Sequence, residues 1–206
     1  MEITPEDVLV VVDVQNDFCP GGALAVPRGE RVIGPIHRAA RRFDHVALTQ
    51  DWHPPGHLSF ATRHHGRKPL ESIETPHGLQ ILWPEHCVQG THGADFYPSL
   101  HLQQAELILR KGHHIDIDSY SAFFENDHMT PTGLGGYLAE RGLKRVFFAG
   151  LAYDFCVGHS ALDSRKLGLA AVVIREACQA IDLDGSVERI EEEFRTFAMD
   201  KLRKAA

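Results

Sequence analysis

The chain has 206 residues, of which 43% are hydrophobic and 24% are charged, and its formal net charge is -7. These proportions are typical of soluble globular proteins and argue against a disordered or fibrous chain. The acidic balance argues against nucleic acid or an anionic membrane as the main partner, because binding phosphate groups requires a basic surface. A small neutral ligand meets no such objection.

The start of the chain does not resemble a targeting segment. Its first residues, MEITPEDVLVVVD, are acidic before a short apolar run, whereas a secretory signal has basic residues before a longer one. No stretch is long enough to cross a membrane. The four cysteines are too few to form a disulfide scaffold in a chain of this length. We therefore expect a cytoplasmic protein with free thiols, and the sequence leaves open whether it forms a homo-oligomer.

Short apolar runs rich in β-branched residues predict buried strands. In chain order they lie at residues 8–14, 45–49, 107–109, 146–148 and 170–174. Helical patterns lie at residues 32–43, 134–141, 157–167 and about 186–204. This alternation predicts a single α/β domain, with helices on both faces of a parallel sheet in a Rossmann-like three-layer arrangement. Residues 51–104 are rich in Pro, Gly and His and lack periodicity, so we interpret them as a functional, loop-rich insertion.

Polar residues follow four of the predicted strands. Asp13 closes the first strand, Asp51 follows the second and Lys111 follows the third. Cys156 lies after the fourth strand, at the start of a predicted helix. Ligands of open parallel sheets bind outside the carboxyl ends of the strands, so we expect these side chains to share one rim.

Cys156 has the surroundings that a cysteine nucleophile requires. The start of a helix lowers the pKa of a thiol through its exposed N–H groups and its dipole. Asp13 could accept the thiol proton, and Lys111 could stabilise the thiolate. Each residue also has a simpler interpretation, since Cys156 could be a small buried hydrophobe, Asp13 a turn cap and Lys111 a solvated charge. The coincidence of these residues at strand ends favours the catalytic interpretation.

A second group of residues suggests a metal site. Asp51 and His53 are two positions apart, so an extended segment places both on one face, and His86 could complete the site. A carboxylate with imidazoles suits zinc, iron or manganese. The chain has 14 histidines, so a chance trio is a real alternative. We interpret the following histidines as ordinary surface residues: His64, His65, His113 and His114.

Four motifs carry a family resemblance over nearly the whole chain. They are V-V-D-V-Q-N-D-F-C-P-G-G, T-Q-D-W-H-P-P-G-H-x-S-F, W-P-E-H-C-V-Q-G-T-x-G and G-L-A-Y-D-F-C-V. Together they resemble the nicotinamidase/pyrazinamidase branch of the isochorismatase-like cysteine hydrolases. The resemblance implies an isochorismatase-like fold and hydrolysis of nicotinamide, and of pyrazinamide, through a cysteine thioester in NAD salvage. Isochorismatases share the triad but typically lack the D-x-H motif with the later histidine.

The resemblance also assigns roles to residues. It implies a catalytic triad of Asp13, Lys111 and Cys156. It implies one divalent metal ion, for which we expect zinc with iron or manganese as alternatives. The implied metal ligands are Asp51, His53 and His86, and the role of His57 stays open.

The resemblance further implies an aromatic pocket and an oxyanion hole. The pocket residues would be Phe18, Trp83 and Tyr120, with Phe123 and Phe124 as competitors for the position of Tyr120. A cis peptide before Ala152 would turn N–H groups towards the substrate oxygen, so the oxyanion hole would comprise Ala152 and Cys156. The same residues are compatible with two other functions: an amidase for another small carboxamide or carbamoyl compound, and a metal-binding regulatory protein without enzymatic activity.

Overall fold

The five predicted apolar runs form the strands of the main sheet, although the observed strand boundaries differ from the predicted ones. The structure, a computed structural model, describes residues 1–204 and the side chains of residues 1–197. In chain order the strands are β1 (Asp7–Val12), β2 (His45–Asp51), β3 (Ser72–Thr75), β4 (Gly78–Ile81), β5 (Leu107–Lys111), β6 (Arg145–Leu151) and β7 (Ala170–Gln179). The helices are α1 (Ile33–Ala40), α2 (Leu134–Glu140), α3 (Gly158–Lys166) and α4 (Ser186–Lys204).

The main sheet has the order β5-β2-β1-β6-β7, and every neighbouring pair of its strands is parallel. The central strand β1 is buried along its whole length, as its continuous run of valine and leucine predicts. The predicted α/β class, a parallel sheet flanked by helices, is confirmed. None of the helices in the described part of the chain has the length and apolar character that a membrane span requires.

The helix boundaries differ from the predicted ones at two places. α1 begins one residue late, after a 3-10 turn at Gly29–Val32, and ends three residues before the predicted boundary. A π-helical turn at Tyr153–Val157 precedes α3 and contains Cys156. The cysteine therefore lies within a widened turn between β6 and α3.

The segment 51–104 is less irregular than the sequence suggests. It contains the antiparallel hairpin of β3 and β4, whose four-residue strands are largely exposed and too short to show periodicity. Isolated bridges pair His53 with Val88 and Phe60 with Trp83. These bridges tie the early part of the segment to its later part, which brings the D-W-H and W-P-E-H motifs side by side.

The strand order creates a cleft at the carboxyl ends of the central strands. β1 lies between β2 and β6, and the chain moves to one side of β1 through β2 and β5 before it crosses to β6. Ligands bind at such a switch point because the connecting loops diverge there. Asp51 and Lys111 are partners in the register of β2 and β5, so their side chains start from adjacent positions at this edge.

An ion pair between the buried Asp7 and the partly exposed Arg145 lies at the opposite end of β1. The carboxylate of Asp7 accepts hydrogen bonds from Arg145 Nε at 2.7 Å and from the backbone N–H of Thr4 at 2.6 Å. Arg145 also lies opposite Asp7 in the register of β1 and β6. The hydrogen bonds from Arg145 lower the pKa of Asp7. The pair therefore ties the first strand to its neighbour where the sheet begins.

We expect Asp7→Asn to lower the free energy of unfolding by about 1–3 kcal/mol at pH 7, since it removes charged hydrogen bonds at a buried position. The native pKa of Asp7 is lowered, so this stabilisation is present above the ordinary aspartate pKa of about 4 and is lost as the pH falls through the native value. Urea unfolding at pH 7 and in acid measures the difference. Glu6→Gln, which breaks the exposed pair with Lys144, is the matched control and should cost much less. Equal losses in the two variants would contradict the prediction.

Candidate active site

The ammonium group of Lys111 lies at the centre of the site and is fully buried. Its Nζ atom is 3.0 Å from Asp13 Oδ2 and also forms a short ion pair with Asp51 Oδ1. It donates a hydrogen bond to the carbonyl of Ser119 at 2.9 Å and lies 3.5 Å from Cys156 Sγ. The strand ends thus bring a thiol and two carboxylates around one cation, as the strand-end rule predicts.

The two carboxylate oxygens of Asp13 have different surroundings. Oδ1 accepts a hydrogen bond of 2.6 Å from the hydroxyl of Thr49. Oδ2 is ion-paired with Lys111 but has no aligned hydrogen-bond partner among the described residues. Burial raises the pKa of Asp13 to about 6, against the opposing effect of Lys111. One oxygen is therefore held in place while the other is available to accept a proton.

Cys156 lies in the π-helical turn that follows β6, and its side chain is almost fully buried. Its Sγ atom and a carboxylate oxygen from each of Asp13 and Asp51 lie within 4.8 Å of one another. Burial raises the pKa of Cys156 well above its usual value, and Lys111 opposes this only in part. The sequence predicts a lowered pKa at a helix start, and that expectation is wrong because the thiol is enclosed and faces two carboxylates.

Asp154 fixes the turn that carries Cys156, and the sequence analysis does not single it out. Its carboxylate accepts hydrogen bonds from the backbone N–H groups of Ile181 at 3.0 Å and Asp182 at 2.7 Å, and from Ser186 Oγ at 2.5 Å. These partners lie just before α4 and at its first residue. The turn that contains Cys156 is therefore attached to the chain beyond β7 as well as to β6.

The arrangement of Asp51, His53 and His86 fits a divalent metal ion. Asp51 Oδ2 lies 3.7 Å from His53 Nε2 and 3.9 Å from His86 Nε2. The Nδ1 atoms lie 2.8 Å from the carbonyl oxygens of Gly112 and Pro84, respectively. A carbonyl can only accept, so each Nδ1 carries a hydrogen, and in the neutral ring each Nε2 is then free to bind a metal ion. One carboxylate and two such imidazoles form a donor set that zinc takes.

His57 packs against this cluster through the ring of His53. Its Nε2 atom lies 3.1 Å from the carbonyl of Ile117, and its Nδ1 atom lies 2.8 Å from Ser59 Oγ. Its ring stacks on that of His53 at a centroid distance of 4.2 Å. Burial lowers the pKa of His57 to about 4, so the ring is neutral. Since both of its nitrogens already have protein partners, His57 orients His53 in this arrangement.

Two further residues that the sequence does not single out hold the cluster in place. Phe60 is fully buried, and its ring centroid lies 5.6 Å from those of the three imidazoles. The side-chain amide of Gln15 accepts a hydrogen bond from the N–H of Asp51 and donates one to its carbonyl, both at 2.8 Å. Gln15 thus pairs with Asp51 as a strand neighbour would. Its place two residues after Asp13, on the same strand-end segment, is the sequence signal for this role.

Phe18, Trp83 and Tyr120 line one cleft together with Cys156. The indole N–H of Trp83 donates a hydrogen bond of 3.2 Å to the hydroxyl of Tyr120. The other lining residues are Leu24, Asp51, His86, Asp118, Ala152, Phe155 and Ile181. The competing phenylalanines lie elsewhere, since Phe123 is buried against Phe148 and Phe124 pairs with Pro131 in a β-bridge.

The cleft contains two residues whose roles the sequence does not predict. Phe155 packs edge-on against Trp83 at a centroid distance of 5.2 Å. Asp118 is buried, and its carboxylate accepts hydrogen bonds from Gln80 Nε2 at 2.7 Å and from the N–H of Ser119 at 2.8 Å.

The peptide bond between Leu151 and Ala152 is cis, as the resemblance implies.

Comparison with known proteins identifies a matching family and several similar proteins. The Isochorismatase domain family matches residues 7–204. A nicotinamidase from Acinetobacter baylyi is 50% identical over 194 residues, which cover 94% of this chain and 91% of that protein. A solved nicotinamidase/pyrazinamidase from Acinetobacter baumanii has a TM-score of 0.93 at 52% identity, with 94% of each chain covered. A Pyrococcus horikoshii pyrazinamidase solved in complex with zinc has a TM-score of 0.75 at 34% identity, with 94% of this chain and 96% of that chain covered.

We expect Gly112→Ala to reduce the metal content of the purified protein, because a Cβ at this position would lie 2.5 Å from His53 Cε1 and 2.8 Å from its Nδ1. Displacing a ligand or its outer hydrogen bond typically lowers metal affinity by about 10–100-fold. Gly56→Ala is the matched control, since Gly56 also has a positive φ but nothing lies within 4 Å of its added Cβ. Metal content measured by mass spectrometry after dialysis against a weak chelator should fall in the first variant and not in the second. Full retention by Gly112→Ala would show that His53 is not a ligand.

Proposed function

The chain belongs to the isochorismatase family, and from this membership and the geometry of its site we propose that it is a nicotinamidase. It hydrolyses nicotinamide to nicotinic acid and ammonia, in NAD salvage, and we expect it to accept pyrazinamide. The observation that carries the proposal is the position of Lys111, whose Nζ atom is 3.0 Å from Asp13 Oδ2 and 3.5 Å from Cys156 Sγ. A thiol, a base and a cation at these distances form the machinery of acyl transfer.

The first step is transfer of the Cys156 proton to Asp13 Oδ2. This oxygen suits the task because it lacks an aligned hydrogen-bond partner among the described residues and because burial raises the pKa of Asp13 to about 6. The sulfur attacks the carboxamide carbon as the proton leaves, so no stable thiolate is needed beforehand. Lys111 balances the negative charge that moves between sulfur and carboxylate.

The second step breaks the carbon–nitrogen bond and the third restores the enzyme. The backbone N–H groups of Ala152, just before the π-helical turn, and of Cys156, within it, would donate hydrogen bonds to the oxygen of the tetrahedral intermediate. Asp13 gives its proton to the departing nitrogen, so ammonia leaves and a thioester remains on Cys156. Asp13 then takes a proton from water as the water oxygen attacks the thioester. When the carbon–sulfur bond breaks, Asp13 gives this proton to the sulfur, so nicotinic acid is released and the thiol is restored.

We assign one divalent ion to Asp51, His53 and His86, with zinc as the expected metal and iron or manganese as alternatives. The donor set supports this assignment, and so does the zinc complex of the similar Pyrococcus horikoshii pyrazinamidase. When bound, the ion would offer a Lewis-acid position to the ring nitrogen of a pyridine. The residues Phe18, Trp83 and Tyr120 would enclose the flat ring, which suits walls of aromatic side chains.

Replacement of the nucleophile tests the thioester route. We expect Cys156→Ala to lower kcat for ammonia release by roughly 10⁴-fold or more, because the chain then has no group to form the acyl-enzyme. Cys178→Ala is the control, since Cys178 is equally buried but does not line the cleft, and it should act mainly through packing. More than a trace of activity in Cys156→Ala, with its fold intact by circular dichroism, would exclude the mechanism.

Benzamide tests the assignment of the metal ligands to substrate orientation. It has the shape and the amide of nicotinamide but lacks the ring nitrogen. We expect its kcat/KM to be lower by about 10²-fold or more, which is the scale of a misoriented substrate. We also expect His53→Ala to impair nicotinamide turnover far more than benzamide turnover. Equal proportional losses for the two amides would mean that these residues do not orient the ring.

A further inference from the structure

Glu125 has a buried carboxylate oxygen that the proposed reaction does not use. The residue is almost fully buried, and its Oε2 atom has no hydrogen-bond partner among the described residues. Its backbone is well fixed, because its N–H donates to the carbonyl of Thr130 and its own carbonyl accepts from the N–H of His128, both at 2.9 Å. Burial raises the pKa of the carboxyl to about 7. A group that is this costly to bury without a partner calls for an explanation.

Two histidines face this carboxylate from the outside. His113 and His114 are exposed, and their ring centroids lie 4.3 Å apart. One nitrogen from each ring and one carboxylate oxygen of Glu125 lie within 4.8 Å of one another. The three donors are therefore already gathered, and the exposed rings leave an ion a route of entry from solvent.

We propose that His113, His114 and Glu125 form a second divalent-cation site, separate from Asp51, His53 and His86, and that zinc occupies it. Two imidazoles and one carboxylate are a donor set that zinc takes, with water completing its coordination. A bound ion would give the buried carboxylate of Glu125 a partner of opposite charge. The two sets share no residue, so each site can be removed without deleting a ligand of the other.

The ligands of this second site lie at the two ends of a segment that lines the cleft. An ion held by His113 and Glu125 closes the segment between them into a loop, which restricts its conformations. This segment contains Asp118 and Tyr120, which line the cleft, and Ser119, whose carbonyl accepts a hydrogen bond from Lys111. The second ion therefore fastens one wall of the cleft to the end of β5.

Zinc stoichiometry tests the site directly. Metal-depleted protein is dialysed against micromolar free zinc, and the bound metal is measured by mass spectrometry. We expect two ions per parent chain, one in the double variant His113→Ala/His114→Ala, and one in His86→Ala, which lacks a ligand of the other site. His64→Ala/His65→Ala is the matched control, because these adjacent histidines belong to none of the metal-binding groups found in the described part of the chain, and it should keep two.

Two outcomes would overturn the proposal: a single ion in the parent, or an undiminished count in His113→Ala/His114→Ala. Glu125→Gln, which keeps the size of the side chain but removes its charge, should also lose one ion. Hydrogen exchange in the His86→Ala variant provides a second readout, because zinc should slow exchange of residues 113–125 only if it binds there. If exchange is unchanged on addition of zinc, the second ion does not restrain this wall of the cleft.

Discussion

The site is organised around a buried ammonium group, that of Lys111. Removing such a charge from water costs several kcal/mol unless nearby groups compensate, and here two carboxylates and a backbone carbonyl do so. Asp13 follows β1, Asp51 ends β2 and Lys111 ends β5, so three strand ends must lie close together for this compensation to occur. Loss of either carboxylate would leave the cation underbalanced in the centre of the molecule. The pairing that compensates this buried charge therefore also fixes the relative positions of the groups that the proposed mechanism uses.

Asp51 belongs both to the charged cluster around Lys111 and to the metal-binding cluster of His53 and His86. Its Oδ1 atom pairs with Lys111, while its Oδ2 atom faces His53 and His86. One lysine charge is thus shared between two carboxylates, so it offsets only part of the rise that burial causes in the pKa of Cys156. In the proposed mechanism the sulfur therefore loses its proton as it attacks the substrate. In this arrangement the chemistry depends on a proton transfer over a short distance and less on the resting charge of the nucleophile.

The sequence predicts the parts of this site that follow from topology. Continuous apolar runs predict the strands, and the strand-end rule then brings Asp13, Asp51 and Lys111 to one edge. The pKa of Cys156 could not be predicted in the same way, because it depends on how completely the thiol is enclosed. The hairpin of β3 and β4 escapes prediction because its strands are short and half-exposed. Thr49 contacts Asp13, and Phe60 contacts the clustered histidines, and such side-chain contacts leave no periodic pattern in the chain.

The hydrogen bond from Thr49 to Asp13 Oδ1 has a consequence for the order of events. In the proposed mechanism it leaves one oxygen, Oδ2, for every proton exchange with sulfur, nitrogen and water. Ammonia and the hydrolytic water must then occupy the same position in turn. The hydrolytic water can therefore reach Asp13 only after the nitrogen product has left Oδ2.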